Sequence, residues 1–226
     1  YLAVMFTDLS GSTDMSMGME AENYANLMFE LHDIYETCVT RHGGAVVQTQ
    51  GDGVLACFGY PEAGENDGRN AVAAALDIKD EVGRLKVPGM GGAALQVHSG
   101  IHSGLTLLQG GGAGARGFNI FGPTVNIASK LSDLAGEGEV IVSAESLGPD
   151  RFNFNISAPK TLDVPGMQAA LRVHSVTGRA EAGAQTHRRR GTSRFVGRGD
   201  DIARIAAALA PGGGGALRAA WLLGPA

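Results

Sequence analysis

The stretch at residues 45–58 reads AVVQTQGDGVLACF, which is two short β-rich runs on either side of a Gly-Asp-Gly turn. Turns of glycine and aspartate between such runs are typical of a β-hairpin. The stretch therefore predicts two antiparallel strands, with Asp52 at the tip of the turn that joins them.

The segments on either side of this hairpin alternate between strand and helix patterns. Upstream, the apolar run at residues 2–7 predicts a buried strand that ends at Asp8, and residues 22–42 predict a helix that stops at a pair of glycines. The helix pattern consists of apolar residues at helical spacing: Tyr24, Leu27, Met28, Leu31, Ile34, Tyr35 and Cys38. Downstream, residues 67–85 predict a second helix and residues 95–108 a further strand.

This order of elements, βαββαβ, is that of the ferredoxin-like split βαβ motif. After it come a predicted helix that starts near Gly122, a strand at residues 140–143, and a final pair of strands near residues 152–156 and 170–176. We therefore predict an α+β domain with one largely antiparallel sheet covered by helices.

Composition places the chain among globular proteins. Of its 226 residues, 44% are hydrophobic and 18% charged, and the net charge of −5 gives no sign of a general nucleic-acid surface. The sequence has no run of 18 apolar residues, so it predicts no membrane span, and we expect a cytoplasmic protein. Cys38 and Cys57 lie within apolar patterns and are expected to be buried, reduced thiols.

The pattern changes after residue 177. Residues 178–193 lack apolar periodicity and are interpreted as a linker. Residues 194–226 contain a short helix pattern and end in WLLGPA, an apolar run that leads into a small-residue turn, as at the beginning of a P-loop. We expect a domain at residues 1–177 and the start of a truncated P-loop ATPase module at residues 194–226, with a simple C-terminal tail as the alternative.

Asp8 and Asp52 are expected to lie close together. The first and third strands of a βαββαβ sheet are neighbours, so the end of the first strand and the turn before the third meet at one edge. Two adjacent carboxylates repel each other unless a proton or a cation bridges them, and Mg²⁺ and Mn²⁺ prefer such oxygen ligands. The pair predicts a two-metal site for phosphoryl transfer, and two structural turn aspartates are the alternative.

The loop after Asp8 suits a polyphosphate. Ser10, Gly11, Ser12 and Thr13 have little side-chain bulk and carry consecutive backbone N–H groups. Such an arrangement can cradle phosphate oxygens beside the predicted metal site.

Four motifs of the chain resemble those of class III adenylate and guanylate cyclases. They follow the family's order within residues 2–177: FTDLSGST at 6–13, GDGVLACFG at 51–59, GIHSG at 100–104 and FGPTVNIASKL at 121–131. The resemblance implies that the ferredoxin-like core extends into the class III cyclase fold. It also implies a head-to-tail homodimer, in which Asp8 and Asp52 of one protomer hold two Mg²⁺ or Mn²⁺ ions and the partner supplies base-reading and transition-state groups.

Asn126 matches the asparagine that orients the ribose in this family. Four residues later the family usually has arginine, whereas this chain has Lys130, which keeps the positive charge but loses the planar guanidinium fork. The phosphate-binding lysine that the family often carries late in the domain is missing from residues 163–166, and Lys160 is out of register. We therefore expect a lower turnover than is usual for the family.

Gln48 and Asn119 fall on the two positions that select the base. Adenylate cyclases commonly have lysine and aspartate there, guanylate cyclases have glutamate and cysteine, and a subset of bacterial adenylate cyclases has glutamine and asparagine. Amides offer both donors and acceptors, which suits adenine but rejects guanine less firmly.

The resemblance thus implies an adenylate cyclase that converts ATP to 3′,5′-cyclic AMP and pyrophosphate. Two alternatives stay open. One is a nucleotide-binding regulatory module, weakly active or inactive, that controls a downstream ATPase. The other is a cyclase that uses GTP or a pyrimidine triphosphate.

Overall fold

The predicted βαββαβ unit forms the centre of the fold. The structure is a computed structural model that describes residues 1–87, 94–110, 117–163 and 170–180, all within the unit Tyr1–Gln185. The predicted linker beyond residue 180 and the predicted ATPase segment at residues 194–226 lie outside the described residues. In chain order the elements are β1 (Leu2–Leu9), α1 (Ser12–Gly18), α2 (Ala21–Arg41), β2 (Gly44–Gln50), β3 (Gly53–Phe58), α3 (Asp67–Val82), β4 (Val97–Gly104), β5 (Leu107–Gly110), β6 (Phe118–Phe121), α4 (Pro123–Leu134), β7 (Val140–Ser143), α5 (Ala144–Leu147), a 3₁₀ turn (Gly148–Asn153), β8 (Phe154–Ile156), β9 (Lys160–Leu162) and β10 (Leu171–Arg179).

Within these ranges, eight strands form one sheet in the order β2-β3-β1-β4-β7-β10-β8, with β9 paired to β10. Strand β3 lies between β1 and β2 and is antiparallel to both, while β1 is antiparallel to β4 on its other side. This is the split βαβ arrangement, so the predicted α+β fold with a ferredoxin-like core is confirmed. Strand β7 extends the core by pairing in parallel with β4.

Different elements pack on the two faces of the sheet, and successive side chains of a strand point to opposite faces. From β1, Ala3 and Met5 join the hydrophobic cluster beneath α2 and α3. Leu2 and Val4 join a second cluster, which contains residues of α4 and of the two-stranded β5–β6 ribbon. By the same alternation, Asp8 falls on the face that α4 covers.

The predicted strand at residues 95–108 is wrong in its extent. Strand β4 ends at Gly104, and after a break β5 pairs with β6 outside the main sheet. At the break the Thr124 hydroxyl of α4 donates to the Leu105 carbonyl oxygen at 2.8 Å, and Thr106 Oγ1 donates to the Gly104 carbonyl oxygen at 3.3 Å. These side-chain bonds replace the ladder bonds that a continuous strand would make.

Smaller differences concern the ends of elements. The second predicted helix stops at Val82, and a short helix, α1, occupies residues predicted as a loop. Cys38 and Cys57 are free and buried, as predicted. None of the helices in the described ranges combines the length and the apolar character needed to cross a membrane.

Candidate active site

Strand pairing brings Asp8 and Asp52 to the same edge of the sheet. The β1–β3 ladder pairs Thr7 with Val54, so Asp8 at the next position of β1 lies beside the β2–β3 turn that carries Asp52. A Cβ atom on Gly53 would lie 3.1 Å from Asp8 Oδ1, so the glycine leaves room for the carboxyl group. The convergence expected from the topology is therefore present in the structure.

The carboxyl groups of Asp8 and Asp52 lie close together, and burial and this proximity raise the pKa of Asp8. Burial, together with a hydrogen bond to Asp52 and its negative charge, raises the pKa of Asp8 to about 7. The Leu9 N–H donates to Asp8 Oδ1 at 3.1 Å and acts in the opposite direction. Asp52 Oδ2 is buried and has no hydrogen-bond partner among the described residues. Because a buried carboxylate oxygen is costly to leave unpaired, this donor set fits a cation.

The chain supplies only part of a coordination shell. The described residues contain no cluster of three or more His, Cys, Asp or Glu side chains that could hold a metal ion. Asp8 and Asp52 alone would leave most positions around a hard divalent cation open. Mg²⁺ binds in this way, through one or two carboxylates together with phosphate oxygens and water.

A cavity of about 400 Å³ adjoins the two carboxylates. It lies between the strand edge and helix α4, and its polar lining residues are Thr7, Asp8, Gln48, Gln50, Asp52, Ser129, Ser132 and Asp133. A volume of this size lies within the range of ligand-binding pockets in proteins. The cavity is therefore the candidate binding site for the substrate.

The predicted phosphate loop is only partly available for a ligand. The Ser10 N–H donates to the Gln96 carbonyl oxygen at 2.8 Å, and Ser10 Oγ lies 3.1 Å from His98 Nδ1. Gly11 has a φ of +73° and precedes the first turn of α1, where Ser12 and Thr13 lie. None of these four residues lines the cavity, so the structure does not bring the predicted phosphate loop into the pocket beside Asp8 and Asp52.

A β-bulge turns Gln48 towards the cavity. The β2–β3 register shifts between Val46 and Gln48, so that Gln48 pairs with Leu55. Leu55 packs on the α4 side of the sheet, and the pairing places Gln48 on that side as well. Asn119 lies on β6 opposite Gln109 and does not line the cavity. The structure therefore does not bring the two predicted base-selecting residues into one pocket of the same chain.

Asn126 and Lys130 lie one helical turn apart on α4 and are not among the residues that line the cavity. Two glycines of β4 allow α4 to lie directly on the sheet. A Cβ atom on Gly100 would overlap the α4 backbone at Ala128 and Ser132, and one on Gly104 would lie 2.5 Å from Thr124 Oγ1. The GIHSG motif therefore sets the depth at which α4 packs.

Two residues near the carboxylates were missed by the sequence-based prediction. His98 pairs with Asp8 across β1 and β4. Burial lowers the pKa of His98, while the charges of Asp133 and Asp52 act in the opposite direction. Asp133 lines the cavity from α4, and its spacing from Asn126 and Lys130, i+7 and i+3, was a helical signal that could have identified it. No local signal could have identified His98, because its position depends on strand register.

Comparison with known proteins identifies the family. A sequence model described as the adenylate and guanylate cyclase catalytic domain matches residues 1–178. Adenylate cyclase 1 of Rhizobium meliloti is 25% identical over 182 residues, which cover 78% of this chain and 27% of that protein. Retinal guanylyl cyclase 2 of Homo sapiens is 29% identical over 133 residues, which cover 58% of this chain and 12% of that protein. The crystal structure of the guanylyl cyclase Cya2 matches with a TM-score of 0.72 at 24% identity, over 80% of this chain and 93% of that one.

This chain belongs to the adenylate and guanylate cyclase family and is a class III nucleotide cyclase catalytic domain. It spans about a quarter or less of the length of the two curated relatives. Cyclases of this class generally use divalent metal ions, in agreement with the paired carboxylates. The two relatives carry different substrate names, one adenylate and one guanylate, so the choice of base is a separate question.

Proposed function

We propose that the domain converts ATP to 3′,5′-cyclic AMP and pyrophosphate in a head-to-tail homodimer, with two Mg²⁺ or Mn²⁺ ions per site. The observation that carries the proposal is the pairing of Asp8 with Asp52 at the rim of a polar cavity, where Asp52 Oδ2 is buried without a partner. The ions, held by these two carboxylates, would neutralise the triphosphate and lower the pKa of the 3′-hydroxyl.

The chemical step is an in-line displacement. The 3′-hydroxyl oxygen of the ribose loses its proton to water and forms a bond to the α-phosphorus, the bond from that phosphorus to the bridging oxygen breaks, and pyrophosphate leaves. The protein contributes mainly positioning and charge stabilisation to such a reaction. We assign ribose orientation to Asn126 and stabilisation of the developing phosphate charge to Lys130. Ser10, Gly11, Ser12 and Thr13 stay proposed phosphate contacts, with the Ser10 backbone N–H excluded because it is bonded to Gln96.

Two observations support a second copy of the chain as the partner. Asn126 and Lys130 do not line the cavity of their own chain, as expected if they serve the site of the other protomer. The β5–β6 ribbon and the turn before it expose large apolar side chains, with Leu105 79%, Leu107 68% and Phe121 47% accessible. Exposed apolar surface of this kind marks an interface.

The choice of ATP rests on two amides. Gln48 lines the cavity, and Asn119 is exposed on the ribbon that we assign to the interface. Incubating the full chain with all four nucleoside triphosphates together and Mn²⁺ should yield mainly cyclic AMP. A product mixture dominated by cyclic GMP or by a cyclic pyrimidine nucleotide would overturn the ATP assignment and leave the cyclase assignment in place.

The metal assignment has a direct test. Asp8→Asn and Asp52→Asn keep the side-chain shape and remove the negative charge, and we expect each to lower cyclase activity at least about 100-fold, because even the partners of metal ligands contribute 10–100-fold. Asp14→Asn, in the exposed part of α1, is the matched control and should leave activity within about twofold of the parent. Activity that persists in either site variant would contradict the assignment.

The regulatory alternative is favoured by Lys130 and by the missing late lysine at residues 163–166. A weakly active or inactive domain would still bind ATP. Asp52-dependent binding of ATP with Mn²⁺ and no cyclic product at any protein concentration would favour this alternative, in which the domain controls a downstream ATPase.

A further inference from the structure

Helix α2 ties down the turn that carries Asp52. The Tyr35 side chain is fully buried, and its hydroxyl donates to the Asp52 carbonyl oxygen at 2.9 Å. One helical turn earlier, His32 Nε2 lies 2.8 Å from the Gly51 carbonyl oxygen. Because a carbonyl oxygen only accepts, the proton of this hydrogen bond is on His32 Nε2. Two consecutive carbonyls of the turn are thus bound by one face of α2.

The turn needs such support. The β2–β3 ladder ends at the pair Gln50 and Gly53, so both carbonyls lie beyond it. Gly51 has a φ of +62°, and with a glycine on each side of Asp52 the turn has wide conformational freedom. A metal-binding carboxylate, in contrast, must keep its position to within a fraction of an ångström.

We infer that Tyr35 and His32 are positioning residues for Asp52, and that they set the geometry of the metal site by holding the Gly51-Asp52 backbone against α2. The inference rests on the proposed function and extends it to a helix that contributes no ligand. The buried ring of Tyr35 fixes the position of its oxygen, since a packed aromatic side chain has no alternative rotamer available. Partners that orient metal ligands typically contribute 10–100-fold to metal affinity.

The experiment measures Mn²⁺ binding to the full chain without nucleotide, from the paramagnetic resonance signal of free Mn²⁺. Tyr35→Phe retains the packing and removes only the hydroxyl, and we expect the Kd for Mn²⁺ to rise about 10-fold. His32→Ala should have a similar effect. His32→Gln, whose amide nitrogen can take the place of Nε2, should bind Mn²⁺ within about threefold of the parent, because the donor is retained.

Cys38→Ala is the control that tests whether a loss of stability by itself weakens Mn²⁺ binding. Cys38 is fully buried on the same helix, about one turn beyond Tyr35. Within the described residues, the side-chain hydrogen bonds to the Gly51 and Asp52 carbonyls come from His32 and Tyr35, not from Cys38. This variant should lower the melting temperature and leave the Kd for Mn²⁺ within about twofold of the parent. If Cys38→Ala weakens Mn²⁺ binding as much as Tyr35→Phe does, the inference is wrong.

The remaining outcomes separate the inference from the proposed function. A Tyr35→Phe/His32→Ala double variant that binds Mn²⁺ as the parent does overturns the inference. So does a parent whose Mn²⁺ binding is unchanged by Asp52→Asn. If Mn²⁺ binding depends on Asp52, Tyr35 and His32 but the parent forms no cyclic nucleotide, the inference stands and the cyclase proposal fails.

Discussion

Asp8 occupies an unusual position for a carboxylate, at the end of a strand whose other side chains are largely buried. Burial and the neighbouring Asp52 both favour its protonated form, so its pKa rises to about 7. The same two influences make a bound cation favourable, because a cation removes the repulsion between the carboxylates. We therefore expect protons and metal ions to compete for this residue.

The raised pKa predicts how the stability of the metal-free protein depends on pH. In the unfolded chain Asp8 ionises near its ordinary pKa of 3.8, whereas in the folded chain it ionises near 7. Between these values the folded state binds more protons, so stability falls as pH rises from about 4 to about 7 and stays lower above that. We expect this group to cost about 2 kcal/mol at pH 8, a figure reduced for its partial exposure.

Urea unfolding at pH 5 and pH 8 measures this effect. Asp8→Asn should flatten the difference between the two pH values, and Mn²⁺ should stabilise the parent at pH 8 more than at pH 5. A parent and an Asp8→Asn variant with the same pH profile would show that Asp8 ionises normally in the folded state.

At the scale of elements, the packing of α4 on β4 controls where the proposed catalytic residues lie. The buried face of α4 consists of Thr124, Ile127, Ala128, Leu131 and Ser132, and it does not include Asn126 or Lys130. Their positions therefore depend on how closely the helix approaches Gly100. The β-bulge in β2 acts at the same scale, because it places Gln48 on the same face of the sheet as Leu55.

Gly100→Ala should displace α4. Its Cβ atom would overlap helix backbone, which cannot move aside as a side chain can, so we expect a loss of about 3 kcal/mol in the free energy of unfolding and a parallel loss of activity. Gly178→Ala in β10, where a Cβ atom meets nothing within 4 Å, is the matched control and should be neutral. Urea denaturation of both variants makes the comparison, and equal stability would mean that α4 packs less tightly than the structure indicates.

At the scale of the whole molecule, the proposed site is complete only in a dimer. Asp8 and Asp52 belong to one chain, and Asn126 and Lys130 are assigned to the other. This division of roles makes inactive variants complementary, because one of the two sites in a mixed dimer receives both intact halves.

Mixing Asp52→Asn with Asn126→Ala in equal amounts should therefore restore activity. Half of the dimers are mixed after subunit exchange, and each has one intact site of two, so about a quarter of the parent activity is expected. Activity should also fall on dilution as the dimer dissociates. No recovery in the mixture, with subunit exchange verified by differently tagged chains, would place Asn126 in the same site as Asp52 of its own chain.

Mixing inactive variants also tests which chain supplies Gln48 to a given site. The resemblance to the family implies that the base-reading residue comes from the partner, yet Gln48 lines the cavity of its own chain beside Asp52. Gln48→Ala mixed with Asp52→Asn should recover activity if Gln48 acts across the dimer, and should stay inactive if it acts within its own chain.

The sequence by itself determined the hairpin with Asp52 at its tip, the split βαβ order and the two carboxylates at neighbouring strand ends. These features follow from turn residues and from hydrophobic periodicity, both of which depend on interactions between residues a few positions apart in the chain. Only the tertiary structure decided the face on which Gln48 lies, the approach of His98 to Asp8, and the hydrogen bonds that Tyr35 and His32 donate to the Gly51-Asp52 turn. Each of these depends on strand register or helix packing between residues far apart in the chain, for which no local pattern exists.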